Sequence, residues 1–182
     1  MIFFFDIFFA ISFVLIFFPL LLLISILIFF LDGLPIIYIS KRVGKNQTLF
    51  NIYKFRTMKN NTKKDEITIL GKILRRTSLD ELPQLINILK GEMSFVGPRP
   101  LPLKIFNKIT KKKRIIRCSV RPGVTGYSQV RYKGKKRSLN EKVDLDIFYI
   151  KKINLWEYFN ILFLTPLVII KRFIFNQTGK TL

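Results

Sequence analysis

The chain contains no histidine. Imidazole is therefore excluded as general base, proton shuttle or metal ligand. A single cysteine, Cys118, excludes an intrachain disulfide and a cysteine-built zinc site. A domain facing a reducing compartment fits that scarcity. Acids are also few: 11 Asp and Glu stand against 32 Lys and Arg, for a net charge of +21 in 182 residues. Such a surplus predicts an anionic partner, whether nucleic acid, anionic lipid or a phosphorylated substrate. Abundant Lys, Ile, Asn and Phe also reflect biased composition. Acids are rare, and adjacent pairs of them occur at Asp65-Glu66 and at Asp80-Glu81.

Charge is missing altogether from Ile7 to Leu31, a run of 25 residues interrupted in polarity only by Ser12 and Ser25. As a helix it reaches about 37 Å, against roughly 30 Å of bilayer hydrocarbon, which predicts membrane insertion. No basic segment precedes the run and no small-residue cleavage site follows it, so a cleaved signal peptide is not expected. Pro19, in its middle, cannot donate to the carbonyl of Leu15, so a kink or break is expected there. A kinked spanning helix and a hairpin that enters and leaves on one side both satisfy this. Basic residues begin at Lys41 and Arg42, which puts everything after Leu31 on the cytoplasmic face under either topology.

Turn chemistry at Asp32-Gly33-Leu34-Pro35 closes the apolar run. Ile36–Ser40 and Thr48–Phe55 read as strands, with a turn at Gly44 and Asn46 between them. In a strand Lys54 and Arg56 share one face. Lys59–Glu66 reads as a loop and Lys133–Arg137 as a basic turn. Ile69, Leu70, Ile73 and Leu74 recur at helical spacing, and helices are also predicted over Leu139–Tyr149 and Trp156–Phe175. The last, with Trp156 and Tyr158 at its start and Pro166 inside, suits the membrane interface. Lys104–Arg117 is a basic amphipathic segment, either on an anionic membrane surface or solvated on the domain. Glu92–Val96 reads as a strand leading into Gly97-Pro98-Arg99-Pro100, where two prolines present Arg99 on a stiff loop. Val120–Val130 is a second stiff loop whose glycines allow backbone N–H groups to approach a ligand.

Ser78-Leu79-Asp80-Glu81 fits a capping box at the start of a helix closed by Gly91. That reading explains both acids structurally, and the helix dipole is expected to keep Asp80 ionised. Asp80, Gln84 and Asn87 then form one polar face. An ionised carboxylate is also a nucleophile toward phosphorus. Two adjacent acids can hold Mg²⁺ together with substrate phosphate oxygens. Arg56, Arg75, Arg76 and Arg99 can neutralise a transferring phosphoryl group.

These pieces, in this order, resemble the small monotopic phosphoglycosyl transferases, a family of bacterial sugar transferases. The resemblance runs through Pro19, Asp32-Gly33-x-Pro35, Arg42-Val43-Gly44, Tyr53-Lys54-Phe55-Arg56-Thr57-Met58 and Leu70-Gly71-x-x-Leu74-Arg75. It continues through Ser78–Gln84, Met93–Pro100 and Arg121–Gly126. It implies transfer of a sugar-1-phosphate from a UDP-sugar to a polyprenyl (undecaprenyl) phosphate with release of UMP, a first membrane step in glycan assembly. Asp80 would form a covalent phosphosugar intermediate. Glu81 would assist as metal ligand or proton acceptor, with Mg²⁺ at the pair. The implied substrate- and phosphate-binding set is Lys54, Arg56, Arg75, Gln84, Arg99 and Arg121.

The implied fold is α+β and mainly helical. It has a re-entrant membrane helix over 1–31 broken at Pro19, and a compact catalytic domain over 32–182 with a small β-hairpin or sheet and interfacial amphipathic helices. The implied location is the bacterial inner membrane, catalytic face to the cytoplasm, in the family's minimal form. Two departures stand against the pattern: Phe18 precedes the central proline where the family often has Ser, and Arg131-Tyr132-Lys133-Gly134 replaces Asn-Gly-Arg. The competing reading is a non-catalytic anchored protein that binds anionic lipid or nucleic acid. No nucleic-acid-binding motif is present, so a nucleic-acid partner is not expected.

Overall fold

The computed structural model describes residues 1–59, 66–131 and 137–174, without the side chains of Arg172 and Phe173. Most of the Lys59–Glu66 loop and of the Lys133–Arg137 turn lies outside the described residues, as does residue 175. The architecture is α+β and mainly helical, as expected. In chain order it runs α1 (Ile2–Asp32), β1 (Ile37–Val43), β2 (Leu49–Phe55), α2 (Ile69–Thr77), a 3-10 segment (Leu79–Gln84) and α3 (Leu85–Leu89). Then follow β3 (Ser94–Val96), α4 (Leu103–Phe106), α5 (Lys111–Arg117), β4 (Gly123–Thr125), α6 (Tyr127–Val130), α7 (Leu139–Lys151) and α8 (Leu155–Ile174).

Helix α1 is the one described helix long and apolar enough to cross a membrane, with a mean hydropathy of 3.2. Pro19 lies inside it and does not end it. Proline removes one ladder bond, and packing on both sides of it carries the helix on. Asp6, Ala10, Ile24 and Ile28 are buried, and Leu20 and Leu21 pack with Ile24, Ile28, Phe55 and Leu74. Phe13 meets Phe95 edge to face at 5.5 Å. One stripe of α1 therefore lies along the domain, while Phe4, Phe8, Leu15, Phe18 and Phe30 are exposed on the rest.

Both ends of α1 are tied to that same domain. Asp6 Oδ1 accepts hydrogen bonds from Ser94 Oγ (2.9 Å), the Phe95 N–H (3.0 Å) and the Tyr158 hydroxyl (2.8 Å). At the far end the Arg56 guanidinium donates to the carbonyls of Leu34 (2.6 Å), Gly33 (2.7 Å) and Asp32. The Asp32 carbonyl is one of those that a helix end leaves without a partner, and the other two directly follow the helix.

Strands β1 and β2 form an antiparallel hairpin that pairs Ile37 with Phe55, Tyr38 with Lys54 and Val43 with Leu49. β1 runs three residues beyond the predicted strand, through Arg42 to Val43. The turn holds Asn46 and Gln47 at φ 52° and 62°.

β3 and β4 pair in parallel, Ser94 with Gly123 and Val96 with Thr125. Here the glycines have a different use from the expected approach to a ligand. A Cβ on Gly123 would stand 2.1 Å from the Gly97 nitrogen, and one on Gly126 2.2 Å from the Gly97 carbonyl oxygen. They let the two stiff loops close on each other.

The basic segment Lys104–Arg117 is not one interfacial helix. It breaks into α4 and α5; Phe106 and Ile109 are buried beside Val43 and Val143, and Arg117 is buried as well. Helix α8 is two-faced: Tyr158 and Ile161 are buried, while Trp156, Phe163, Leu167 and Ile170 are exposed.

Candidate active site

The acidic pair sits at a reversal of the chain. Ser78 adopts left-handed backbone (φ 60°, ψ 15°), ending α2 and starting the 3-10 segment. Its side chain makes no capping bond, so the expected capping box with Glu81 does not form. A capping residue needs extended backbone, and Ser78 lacks it. Pro83, with no N–H, further disfavours a regular α-helix here. The same S-x-x-E spacing at Ser138–Glu141 does form the reciprocal box: Glu141 N–H donates to Ser138 Oγ at 3.2 Å and Ser138 N–H to Glu141 Oε2 at 2.7 Å. Gly91, at φ 72°, follows α3 as the sequence predicts.

Instead of capping, Glu81 gathers cations. Its Oε1 accepts Lys54 Nζ from β2 and Arg99 Nη2 from the Pro98–Pro100 loop, both at 2.6 Å. Arg99 Nη1 reaches Oε2 at 3.4 Å. Burial works against the Glu81 charge, but Arg99 and then Lys54 outweigh it and hold its pKa at about 2. Asp80 takes the opposite direction. Burial, then the neighbouring Glu81 charge, raise its pKa to about 6, only partly offset by Lys54, Arg99 and Arg75. The expected dipole effect is thus overridden: a short 3-10 turn offers little aligned dipole, and desolvation dominates. Two adjacent acids have been driven apart, which is the arrangement that gives paired carboxylates different roles.

Supporting contacts fix the cationic wall. Arg75 Nε donates to Thr57 Oγ1 at 2.7 Å, which orients the guanidinium. The Arg99 carbonyl accepts Arg117 Nη2 at 2.5 Å, and Arg117 Nε pairs with Asp146 Oδ2 at 3.0 Å from α7.

Asp80 and Glu81 line a cleft of about 1040 Å³. Its polar part carries Lys54, Arg75, Arg76 and Arg99, as well as Tyr38 and Arg42 from β1. Its apolar part is walled by Phe9, Phe13 and Phe17 of α1 and by Leu162, Phe163 and Ile169 of α8. A charged site and a greasy groove thus share one cavity.

Of the residues singled out in the sequence, the fold gathers Asp80, Glu81, Lys54, Arg75 and Arg99. Three others are placed differently. Arg56 borders the cleft, but both its Nη atoms bind the end of α1. Arg121 donates to the Gly91 carbonyl at 2.8 Å and lies 4.4 Å over the Phe3 ring, outside the cleft lining. Gln84 is buried behind the pair and does not line the cleft. Asn87, on the expected polar face, is a clamp: it accepts the Tyr53 N–H at 3.2 Å and donates to the Asn51 carbonyl at 2.7 Å. Arg42, Tyr38 and the α1 phenylalanines went unmarked as site residues. Strand alternation carried through Val43 puts Tyr38 and Arg42 on the face of Lys54.

Among the described residues no group of three or more metal-ligating side chains exists. Mg²⁺ can bind through one carboxylate and substrate phosphates. Asp80 suits that sparse form. Glu81 is already engaged by two cations through Oε1.

A family model described as bacterial sugar transferase matches residues 1–172. Galactosyl transferase CpsE of Streptococcus agalactiae serotype III is 37% identical over 162 residues, covering 76% of this chain and 35% of that protein. The UDP-N-acetylgalactosamine-undecaprenyl-phosphate N-acetylgalactosaminephosphotransferase of Aeromonas hydrophila is 34% identical over 165 residues, covering 83% and 39%. The uncharacterized sugar transferase EpsL of Bacillus subtilis is 38% identical over 135 residues, covering 70% and 64%. The chain thus spans a little over a third of the first two relatives and under two thirds of the third.

Proposed function

The chain belongs to the bacterial sugar transferase family, and from that premise we propose that it moves a sugar-1-phosphate from a UDP-sugar to a polyprenyl phosphate. The observation that carries the reading is the shared cavity. Asp80 stands where a desolvated cationic wall meets an apolar groove, so one nucleophile is within reach of a sugar nucleotide and a lipid phosphate.

Ionised Asp80 attacks the β-phosphorus through a carboxylate oxygen. The bond from that phosphorus to the bridging oxygen breaks, and UMP leaves with the bridging oxygen. A phosphate oxygen of the polyprenyl phosphate then attacks the same phosphorus. The acyl-phosphate bond breaks, the polyprenyl diphosphate sugar departs and the Asp80 carboxylate is restored. Arg75 and the Glu81-held pair Lys54 and Arg99 stabilise charge on the transferring group. Glu81 is a positioning residue in this scheme. Mg²⁺, when bound by Asp80 and phosphate oxygens, would supply further charge neutralisation.

Helix α1 lies in the membrane with both ends on the cytoplasmic face. Support comes from the single domain that holds Asp6 at one end and the Asp32–Leu34 carbonyls at the other. The positive-inside rule places that basic domain in the cytoplasm. The exposed apolar surface of α1 and the outer face of α8 then face lipid.

The test is a panel of UDP-sugars supplied with polyprenyl phosphate and Mg²⁺. UMP release by the wild type and none by Asp80→Asn supports the scheme. Full turnover by Asp80→Asn removes Asp80 as nucleophile.

A further inference from the structure

The cations of the cleft are unequally committed. Lys54 and Arg99 share one oxygen of Glu81. Arg56 holds carbonyls, and Arg75 uses its Nε on Thr57. Arg42 differs from all of these. It lines the cleft and is half-buried, yet among the described residues its guanidinium has no ion-pair partner and donates no hydrogen bond.

Its position is nonetheless fixed. Arg42 lies on β1 opposite Phe50, on the strand face that carries Tyr38 and Lys54. The next residue anchors the strand to the chain beyond the Pro-Arg-Pro loop, through the Val43 N–H to the Leu101 carbonyl at 3.0 Å. The groups whose charge it senses are Tyr38, Arg99 and Glu81. Glu81, the one carboxylate among them, is already engaged by two other cations. Burial disfavours the charged form of Arg42; Tyr38 works against that, Arg99 adds to it and Glu81 opposes it. Arg42 is thus a half-buried cation beside another cation, with no ion-pair partner among the described residues. An entering anion reverses that balance, and the planar fork of a guanidinium matches two phosphoryl oxygens.

We propose that Arg42 is a phosphate-binding residue of this cleft, taking phosphoryl oxygens of a substrate through its guanidinium fork. The inference rests on the reading that phosphorylated substrates enter the cleft. The anion can come from the nucleotide diphosphate of the donor or from the lipid phosphate of the acceptor.

The experiment uses the full chain in detergent, with Arg42→Gln and Arg42→Lys beside the wild type. UDP binding with Mg²⁺ is measured by calorimetry, and KM is measured separately for the UDP-sugar and the polyprenyl phosphate. Loss of a charge-assisted hydrogen-bond pair in Arg42→Gln is expected to weaken one of these constants by about tenfold or more, at an unchanged melting temperature. The Lys variant is expected to recover part of the loss, since it keeps the charge without the fork. If the donor supplies the anion, UDP affinity and donor KM change together. If the lipid supplies it, acceptor KM rises and UDP affinity stays. A folded Arg42→Gln with all constants within about twofold of wild type overturns the proposal. If the Gln variant does not fold, the Lys variant decides: constants equal to wild type overturn it. A wild type that binds no UDP, or an active Asp80→Asn, instead overturns the reading of the site, and the role of Arg42 falls with it.

Discussion

Glu81 Oε1 accepts Lys54 Nζ and Arg99 Nη2 at the same distance, 2.6 Å, so a single carboxylate oxygen joins strand β2 to the Pro98–Pro100 loop. Removing its charge leaves two cations facing each other in a partly buried space. Breaking a buried pair in this way typically costs 3–5 kcal/mol, and the partial exposure of Lys54 and Arg99 reduces that to about 2 kcal/mol here. Glu81→Gln is therefore expected to melt several degrees lower and to release UMP on the order of a hundredfold more slowly. Wild-type melting and turnover in this variant would show that the cations hold their places without it.

Asp80 carries the opposite electrostatic signature. Its pKa of about 6 lies above the ordinary 3.8, chiefly because burial penalises the ionised form. The folded state thus holds the proton more tightly than the unfolded state. Stability from this group is present below about pH 4 and is lost as pH rises toward 6. Asp80→Asn is expected to abolish UMP release yet melt higher at pH 7.5, by a margin on the order of 1–3 kcal/mol that disappears below about pH 4. An Asn variant no more stable than wild type at pH 7.5 contradicts this account.

The same proton governs rate. In the proposed scheme the nucleophile is the carboxylate, so kcat/KM is expected to rise with pH through about 6 and then level. Glu81, held at about 2, contributes no limb in that range. A profile flat from pH 5 to 8 would disconnect Asp80 ionisation from the chemistry.

Arg56 separates a structural cation from those proposed to bind substrate. Its three carbonyl contacts close the end of α1. Arg56→Gln is expected to lower the melting temperature and to open Gly33 to proteolysis, with donor KM little changed in the folded fraction. Arg75→Gln is expected to do the reverse, raising donor KM about tenfold or more at nearly constant stability. A large donor KM effect at constant stability in Arg56→Gln would return it to the phosphate-binding set.

Local pattern carried much of this in the sequence and failed where tertiary contacts decide. The hairpin, α2, α7 and the closing Gly91 follow from alternation, helical spacing and turn chemistry. The capping rule did not discriminate between Ser78–Glu81 and Ser138–Glu141. The difference lies in Lys54 and Arg99, which are distant in sequence and adjacent only in the fold. Gly97, Gly123 and Gly126 look the same in sequence whether they face a ligand or another loop. Arg42 was hidden by ending β1 at Ser40: two more residues of strand put it on the face of Lys54. The helix dipole predicts an ionised Asp80, whereas burial, which no local rule supplies, dominates its pKa.

The topology proposed for α1 rests on the same long-range contacts. A helix of 31 residues extends about 46 Å and could cross a bilayer. Crossing would put the Asp6 bonds to Ser94, Phe95 and Tyr158 on one side and the Arg56 bonds on the other. Yet Phe95 and Arg56 belong to one basic domain that cannot straddle hydrocarbon without burying its Lys and Arg. A cysteine at Met1 is therefore expected to react with an impermeant maleimide only after the membrane is opened. Cys118 is buried and should give little background. Asp6→Ala loses three buried hydrogen bonds and is expected to free the first turns of α1, exposing them to protease on the cytoplasmic side only. Labelling of Met1→Cys in intact cells would place the two ends of α1 on opposite faces and dissolve the shared-cavity reading, because Phe9, Phe13 and Phe17 would leave the cleft.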